Sequence, residues 1–342
     1  FMRVLVIKTS SLGDVVHALP AVTDATLNRR DLHIDWVVEE AFAEIPAMHP
    51  AVERVIPVSI RRWRDNWIEN FMELAAFVVD LRKQRYDLIV DAQGLVKSAI
   101  IAWLAKGPVA GFDEKSAKEG VVSRFYLDRL NITRTLHAVE RLRTLFAYSL
   151  GYELNESLPV FGLLCDRPQK KQLFFLHGTT WESKLWPVEY WKQLVNLAEK
   201  DGYEVVMTYG NQVERDRATE IAEASARARV LPPMDLSGIT EVIAESSGVV
   251  TVDTGLGHLA NALNKPLIAL YSATNPELTG PCGTNQKVIA SSSLDCVPCL
   301  RRECQYQPGK LNERHPPCFS DSTPQRVFEG LQALIQAEKI VK

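Results

Sequence analysis

Short runs of β-branched and aliphatic residues recur along this chain about every 20 to 30 positions, and helix-period patterns fill the intervals. Arg3 to Lys8 (RVLVIK), Ile34 to Val38, Val55 to Val58 and Tyr86 to Val90 predict four strands in the first half. Helical patterns run from Val15 to about Leu27, Trp67 to Gln84 and Leu95 to Ala105, and His137-Ala138-Val139-Glu140-Arg141 opens another that reaches about Leu150. After Gly151 to Lys171, where Asn155, Pro159, Gly162 and Pro168 interrupt any period, the alternation restarts. Leu173 to Leu176, Glu204 to Met207, Arg229 to Leu231, Val249 to Val252 and Pro266 to Tyr271 read as strands, the last of them closing the series. Trp186-Pro187 starts a helix to Lys200, and others cover Gln212 to about Ala226, Ser237 to Glu245 and a stretch ending at Leu263. The tail from Pro324 to about Ile340 is amphipathic through Val327, Phe328, Leu331, Leu334 and Ile335.

Strands alternating with helices predict an α/β chain built on doubly wound, mostly parallel sheets, one in each half. At 342 residues there is room for two ordinary domains, expected over 1–160 and 168–323. Ligands in such sheets sit beyond the carboxyl ends of the strands, so the residues just after each run are the candidates. In the first half these are Thr9 to Asp14 and Asp91 to Lys97. Ser11-x-x-Asp14 fits the spacing of a capping box, and Asp14 is either that cap or a general base at a strand-to-helix turn. In the second half they are His177-Gly178-Thr179-Thr180 with Lys184, Gly210 with Glu214, Met234, and Asp253-Thr254-Gly255 with His258.

The stretch Val249 to His258 carries the clearest chemistry. A buried strand turns abruptly into a helix, Asp253 or Thr254 can cap it, and Gly255 admits close backbone approach. A helix start at the end of a parallel strand is an anion site, suited to a diphosphate; a plain cap and turn is the other reading. Lys184 can take phosphate charge, and a carboxylate such as Glu214 can accept both ribose hydroxyls. No Asp-x-Asp triplet is present, which argues against a diphosphate held by a metal.

Composition narrows the class. With 46% apolar and 24% charged residues the chain reads as globular, and a net charge of −3 argues against a general nucleic-acid binder. No signal-peptide pattern precedes the first strand, and no apolar run is long enough to span a membrane. Arg61-Arg62-Trp63-Arg64, expected on a loop, concentrates guanidinium charge suited to a multiply anionic partner, although a solvated basic run is the commoner meaning. Lys97, Lys118, His137 and Arg141 are candidates for the same face. Cys296-x2-Cys299 with Cys304, Cys318 and nearby His315 could form a structural zinc site, but only one pair has tight ligand spacing, and reduced loop cysteines are the alternative.

Several blocks in order carry a resemblance to a known family. They are Lys8-Thr9-Ser10-Ser11-Leu12-Gly13-Asp14-Val15, Asp35 to Glu40, Ile60 to Arg64, Asp91-Ala92-Gln93-Gly94-Leu95-Val96-Lys97-Ser98-Ala99, His137 to Arg141, Leu176 to Thr180, Trp186-Pro187 and Val252 to Leu259. From Met2 to about Tyr271, and again in the last helix, the chain resembles the inverting heptosyltransferases of Gram-negative lipopolysaccharide core assembly. The resemblance implies a GT-B fold, two Rossmann-like domains facing a central cleft, with the C-terminal helix (324–342) packing back onto the first. It implies transfer of L-glycero-D-manno-heptose from ADP-heptose to the inner Kdo of Kdo2-lipid A, with no metal or other cofactor. Asp14 would be the general base. Lys184 would bind the donor phosphate, with Thr179, Thr180, Asp253, Thr254, Gly255 and His258 along the diphosphate and heptose, Glu214 on the ribose and Met234 beside adenine. Ser11, Gly13, Arg61, Arg62, Arg64, Gln93, Lys97, Lys118 and His137 would meet the anionic acceptor. A monomer, cytoplasmic and touching the inner leaflet of the inner membrane peripherally, is expected. The segment from Cys282 to Cys318 departs from the pattern of members acting first on Kdo and is similar to that of relatives with a later acceptor. Such a relative, a GT-B sugar-nucleotide epimerase and a non-catalytic sugar-binding protein are the alternatives.

Overall fold

Six parallel strands make the first sheet: β1 (Met2–Ile7), β2 (Leu32–Glu39), β3 (Val52–Val58), β4 (Leu88–Asp91), β5 (Val109–Phe112) and β6 (Asp128–Leu130), in the order β3-β2-β1-β4-β5-β6. Six more make the second: β7 (Lys170–Leu176), β8 (Glu204–Met207), β9 (Ala228–Val230), β10 (Ser246–Val252), β11 (Leu267–Tyr271) and β12 (Gln286–Ala290), in the order β12-β11-β10-β7-β8-β9. Read from β9, the second order repeats the first. Both are the doubly wound arrangement in which strand order reverses beside the unit's first strand, between β1 and β4 and between β7 and β10. The computed structural model describes residues 1–66, 68–165, 167–291, 294–306 and 316–341, and it divides into two units, Phe1–Leu164 and Cys165–Lys342.

The central strands are buried on both faces, which is why they read as unbroken apolar runs. Val4, Leu5, Val6 and Ile7 are fully buried, as are Phe174, Phe175, Val249, Val250 and Val252. Helices pack on the sheets, as right-handed crossovers between parallel strands require. In the second unit Trp186, just before the Val188–Lys200 helix, and Trp191, Leu194 and Val195 within it meet Phe175, Val205 and Val250 in one core.

Several expectations shift. The helix expected from Val15 to Leu27 is two, Leu12–Val16 and Leu19–Asn28, with Pro20 in the first turn of the second. The Arg61 to Arg64 cluster lies on a helix, Ile60–Asp65, because Trp63 turns inward against Phe77 at a ring distance of 5.3 Å. The next helix is Phe71–Leu81; its expected start at Trp67 lies outside the described residues. β5, β6 and β12 were not anticipated, and β11 is therefore not the last strand.

The C-terminal helix, Pro324–Val341, also differs from expectation. It belongs to the second unit and not to the first: Val327, Phe328, Leu331 and Ile335 join that unit's core. The close approach depends on Gly248 in β10, where a Cβ would stand 2.9 Å from Leu331 Cδ1 and 3.1 Å from Ile335 Cδ1.

Candidate active site

In the first unit, the turn after β1 gathers charge around Asp14. The Ser11 N–H and hydroxyl both donate to Asp14 Oδ2 at 3.0 Å, so Asp14 closes a capping box with Ser11, the N-cap of the Leu12–Val16 helix. Its other oxygen faces two ammonium groups, Lys8 at 3.8 Å and Lys118 at 3.7 Å. Burial pushes the Asp14 carboxyl up. The Lys8 and Lys118 charges, the Ser11 N–H and His17 outweigh it and hold the carboxyl well below the usual carboxylate range. Lys8 is buried and gives a hydrogen bond to the Ala92 carbonyl at 3.0 Å; burial, opposed by Asp14, lowers its pKa to about 8.

The switch point between β1 and β4 fixes this turn. Gln93 Oε1 accepts from the N–H groups of Thr9 (3.1 Å) and Ser10 (3.3 Å), and Lys97 Nζ donates to Ser10 Oγ at 2.9 Å. Asp91, fully buried, accepts from the Gln93 and Gly94 N–H groups, Ser98 Oγ and Tyr126 OH, which shapes the loop that presents Gln93 and Lys97. Gly13 is buried in the Leu12–Val16 helix. His137 caps the Ala138–Leu150 helix by accepting the Val139 N–H, and its ring lies 5.9 Å from that of His17. Arg141 stands over the Phe112 ring and donates to the Ser116 carbonyl. Ser11, Gln93, Lys97 and Lys118 are thus brought together about Asp14, and His137 sits one ring away.

Among the described interactions the arginine cluster meets them through Arg61, which shares Glu39 with Lys97. Arg62 is held between Glu40, at 3.1 Å, and Glu73, and Arg64 pairs with its neighbour Asp65 at 3.4 Å. Arg61 is exposed, and with Lys97 it draws down the proton affinity of buried Glu39, which burial raises.

In the second unit the ends of β7, β10 and β11 converge on Asp253. Lys184 Nζ lies 2.6 Å from Asp253 Oδ2, Thr274 Oγ1 donates to the same oxygen at 2.6 Å, and His258 Nε2 lies 3.7 Å from Oδ1. Burial raises the Asp253 carboxyl, but His258, Lys184 and Thr274 overcome it and hold it well below its ordinary range. Thr179 Oγ1 donates to the Asp253 carbonyl at 3.2 Å. Thr254 is the N-cap of the Gly255–Ala262 helix but makes no capping bond with its side chain, and Asp253 is engaged elsewhere, so neither expected cap closes the helix start. Its first N–H groups and positive dipole end therefore lie beside the Lys184–Asp253 pair.

Glu214 bridges the ends of β7 and β8. It accepts the Gly210 N–H at 2.7 Å, and a Cβ on Gly178 would come within 2.9 Å of its carboxylate, so only glycine leaves room for it there. Met234 is half-buried ahead of the Leu236–Glu245 helix, against Gly238. Thr180 is exposed; no described contact ties either Thr180 or Met234 to Asp253.

Lys184 sits on a 3-10 turn, Glu182–Lys184, that the cysteine-bearing segment braces. Ser183 is buried, donates its hydroxyl to the Arg301 carbonyl at 2.5 Å and its N–H to that of Arg302 at 3.1 Å, and accepts Ser272 Oγ at 2.9 Å. Cys296, Cys299, Cys304 and Cys318 line one small cavity beside Ser183 and Ser272. Among the described residues no group of three or more His, Cys, Asp or Glu has the geometry to hold a metal ion, and His315 falls outside them.

The whole pattern has counterparts. Residues 74–310 match the family model for glycosyltransferase family 9 (heptosyltransferase). The chain belongs to this family. It is 46% identical, over all of both chains, to lipopolysaccharide heptosyltransferase 1 of Pseudomonas aeruginosa, and 45% identical over 84% of its length, and 93% of the other, to that of Escherichia coli K12. The structure of E. coli heptosyltransferase WaaC with ADP superposes with a TM-score of 0.86 at 40% identity, covering 97% of this chain and 100% of that one. As a family 9 heptosyltransferase the chain has the GT-B fold, two Rossmann-like units in sequence. In this heptosyltransferase, sequence reasoning missed Lys8, Trp181, Ser183 and Thr274. Lys8 did leave a signal, a charge directly after the apolar run Val4 to Ile7. Trp181, whose ring lies 4.4 Å from Lys184 Nζ, and Thr274 left none, since their roles come from where the chain folds back.

Proposed function

We propose that this heptosyltransferase moves L-glycero-D-manno-heptose from ADP-heptose to the inner Kdo of Kdo2-lipid A in lipopolysaccharide core assembly, inverting the anomeric centre without a metal. The observation that carries the reading is a division of charge. One switch point ends in a carboxylate held ionised; the other ends in a lysine and an open helix start suited to a diphosphate. The E. coli WaaC structure with ADP-2-deoxy-2-fluoro heptose, which superposes with a TM-score of 0.83 at 40% identity, supports the donor assignment.

The acceptor hydroxyl oxygen attacks the anomeric carbon as the bond from that carbon to the phosphate oxygen breaks, and ADP leaves with the electron pair. Asp14 takes the hydroxyl proton. A single displacement needs no second, nucleophilic carboxylate. Lys184 and the amides at Gly255 answer the charge gathering on ADP, Glu214 holds the ribose hydroxyls, and Thr179, Thr180, Thr254 and His258 line the diphosphate and sugar, with Met234 against adenine. The low proton affinity of Asp14 keeps it ionised but makes it a weak base. Lys118 is half exposed, and an anionic acceptor drawing it away would raise the basicity of Asp14 at the moment it is needed. Product analysis after mixing ADP-heptose with Kdo2-lipid A, without added metal, tests the reading. Heptosyl-Kdo2-lipid A is expected. Transfer only to an acceptor already carrying heptose would favour a later-acceptor enzyme, and consumption of ADP-heptose with no acceptor would favour an epimerase.

A further inference from the structure

The helix Val96–Leu104 turns an apolar side to solvent. Val96, Ile100 and Trp103 recur at i, i+4 and i+7, one face of a helix, and Ile100 is 53% and Trp103 70% exposed. Its buried side carries Ser98, Ala99, Ile101 and Ala102, so the packing that holds the helix does not use the aromatic. The 3-10 helix Gly120–Phe125 adjoins it, tied by a hydrogen bond of 2.6 Å from the Val96 N–H to Glu119. This neighbour exposes Val121, Phe125 (61%) and, one residue beyond Tyr126, Leu127 (73%). Two adjoining elements thus put five large apolar side chains and a tryptophan into solvent, more than scattered surface residues account for.

Charge says what covers this face. Residues 96–107 and 118–127 hold Lys97, Lys106, Lys118 and Arg124 against one acid, Glu119, whose carboxylate accepts the Val96 N–H, in a chain whose net charge is −3. Arg82 joins them, donating to the Leu104 carbonyl at 2.8 Å. The other exposed apolar helix of this unit, Phe71–Leu81, carries Glu73 and Asp80 and lacks that character. An aromatic and aliphatic surface fringed by cations fits the headgroup and acyl boundary of an anionic membrane, where tryptophan and long basic side chains are both favoured. The face also begins at the active turn: the same helix supplies Lys97 to Ser10, and Lys118, which pairs with Asp14, lies just before the 3-10 helix.

We propose that this face, Val96, Ile100 and Trp103 with Val121, Phe125 and Leu127, docks the enzyme on an anionic lipid bilayer, so that the sugar of a membrane-embedded acceptor reaches Asp14 while its acyl chains stay in the lipid. The second clause rests on the lipid acceptor proposed above; the docking itself does not.

The test is flotation of the full chain with vesicles of phosphatidylethanolamine and phosphatidylglycerol, and with phosphatidylcholine vesicles alone. The wild type should float with the anionic vesicles and weakly with the neutral ones. Trp103→Ser with Phe125→Ser should need at least about tenfold more lipid for half-maximal binding, and Lys106→Glu with Arg124→Glu should lose the preference for anionic vesicles. Unchanged circular dichroism and thermal unfolding check that both variants fold. Transfer to a deacylated, soluble Kdo acceptor should be unchanged in both; if the wild type fails to use that acceptor, the assigned acceptor is wrong whatever the vesicles show. Wild-type protein that ignores anionic vesicles, or a Trp103→Ser/Phe125→Ser variant that floats as well as the wild type, overturns the proposal. So does sedimentation showing a wild-type dimer that this variant separates, which would make the occupant a second copy.

Discussion

The Lys184 ammonium lies 2.6 Å from the Asp253 carboxylate, and on the function proposed above this pair receives the donor's charge. Both side chains are largely buried, at 14% and 9% exposed, so the pair is shielded from solvent, and a diphosphate would compete with Asp253 for the same cation. Lys184→Ala should weaken ADP by about 10- to 100-fold, the size of one charge-assisted hydrogen bond of ~1.5–3 kcal/mol. Titration calorimetry with ADP measures it, and unchanged affinity would remove Lys184 from the donor site. Asp253 also sets a pH expectation. Its carboxyl is held below the ordinary value, so its contribution to stability is present above ~pH 4 and is lost only as pH falls through the lower folded value. Melting temperature should therefore show no loss from this group between about pH 5 and 8.

Asp14 makes the complementary case. Asp14→Asn keeps the acceptor for the Ser11 N–H but removes the proton acceptor and the charge facing Lys8 and Lys118. Transfer at saturating substrates should fall by about 10²- to 10⁴-fold while ADP affinity stays within about twofold. Transfer by Asp14→Asn at close to the normal rate would leave Asp14 a cap and nothing more.

Much of this was legible in the chain, and the reasons are specific. Buried parallel strands announce themselves as apolar runs, so β1, β8 and β10 were placed to within a few residues. β5 and β6 were not, because Ala110 and Gly111 thin the apolar run of the first, and Asp128-Arg129-Leu130 is an edge strand with two exposed residues. Residues following strands could be nominated because each sheet's order sends strand ends to one edge of its own unit; Asp14 and Lys97 in the first unit, and Lys184 and Asp253 in the second, were nominated that way. Local sequence could not show that Arg62 of the arginine cluster pairs with Glu40 and Glu73, which lie 22 and 11 residues away in the chain. The last helix was assigned to the wrong unit because amphipathicity names a face but not its partner, and here the partner surface is opened by Gly248, about 80 residues earlier.

Ser183 should act through its neighbour. With its hydroxyl gone, the Glu182–Lys184 turn loses its bond to the Arg301 carbonyl and one tie to the cysteine-bearing segment. Ser183→Ala is expected to raise the donor KM by about 3- to 10-fold, one hydrogen bond's worth, and to add almost nothing in a Lys184→Ala background. A double-mutant cycle on ADP binding measures this. Independent, additive effects would mean that Ser183 only stabilises the unit.

Lys8 offers the sharpest handle on pH. It is buried beside Asp14, and burial lowers its pKa to about 8 against an unfolded value of ~10.4, so between these the unfolded chain binds more protons and stability should rise with pH. Its effect on Asp14 runs the other way. In the wild type the Asp14 carboxyl is depressed because Lys8 and Lys118 outweigh burial, so no acidic limb from this group should appear in kcat/KM above ~pH 5. Lys8→Met keeps the length and apolar stem but removes one of the two cations. Burial is then opposed by Lys118, the Ser11 N–H and His17 alone, and the Asp14 pKa should climb toward the ordinary value of ~4 or above it. The pH profile of Lys8→Met should therefore gain a limb that falls off on the acid side, while Lys8→Arg, which restores the charge, should lose it again. A methionine variant whose profile overlays the wild type would show that Lys8 does not set the charge state of Asp14.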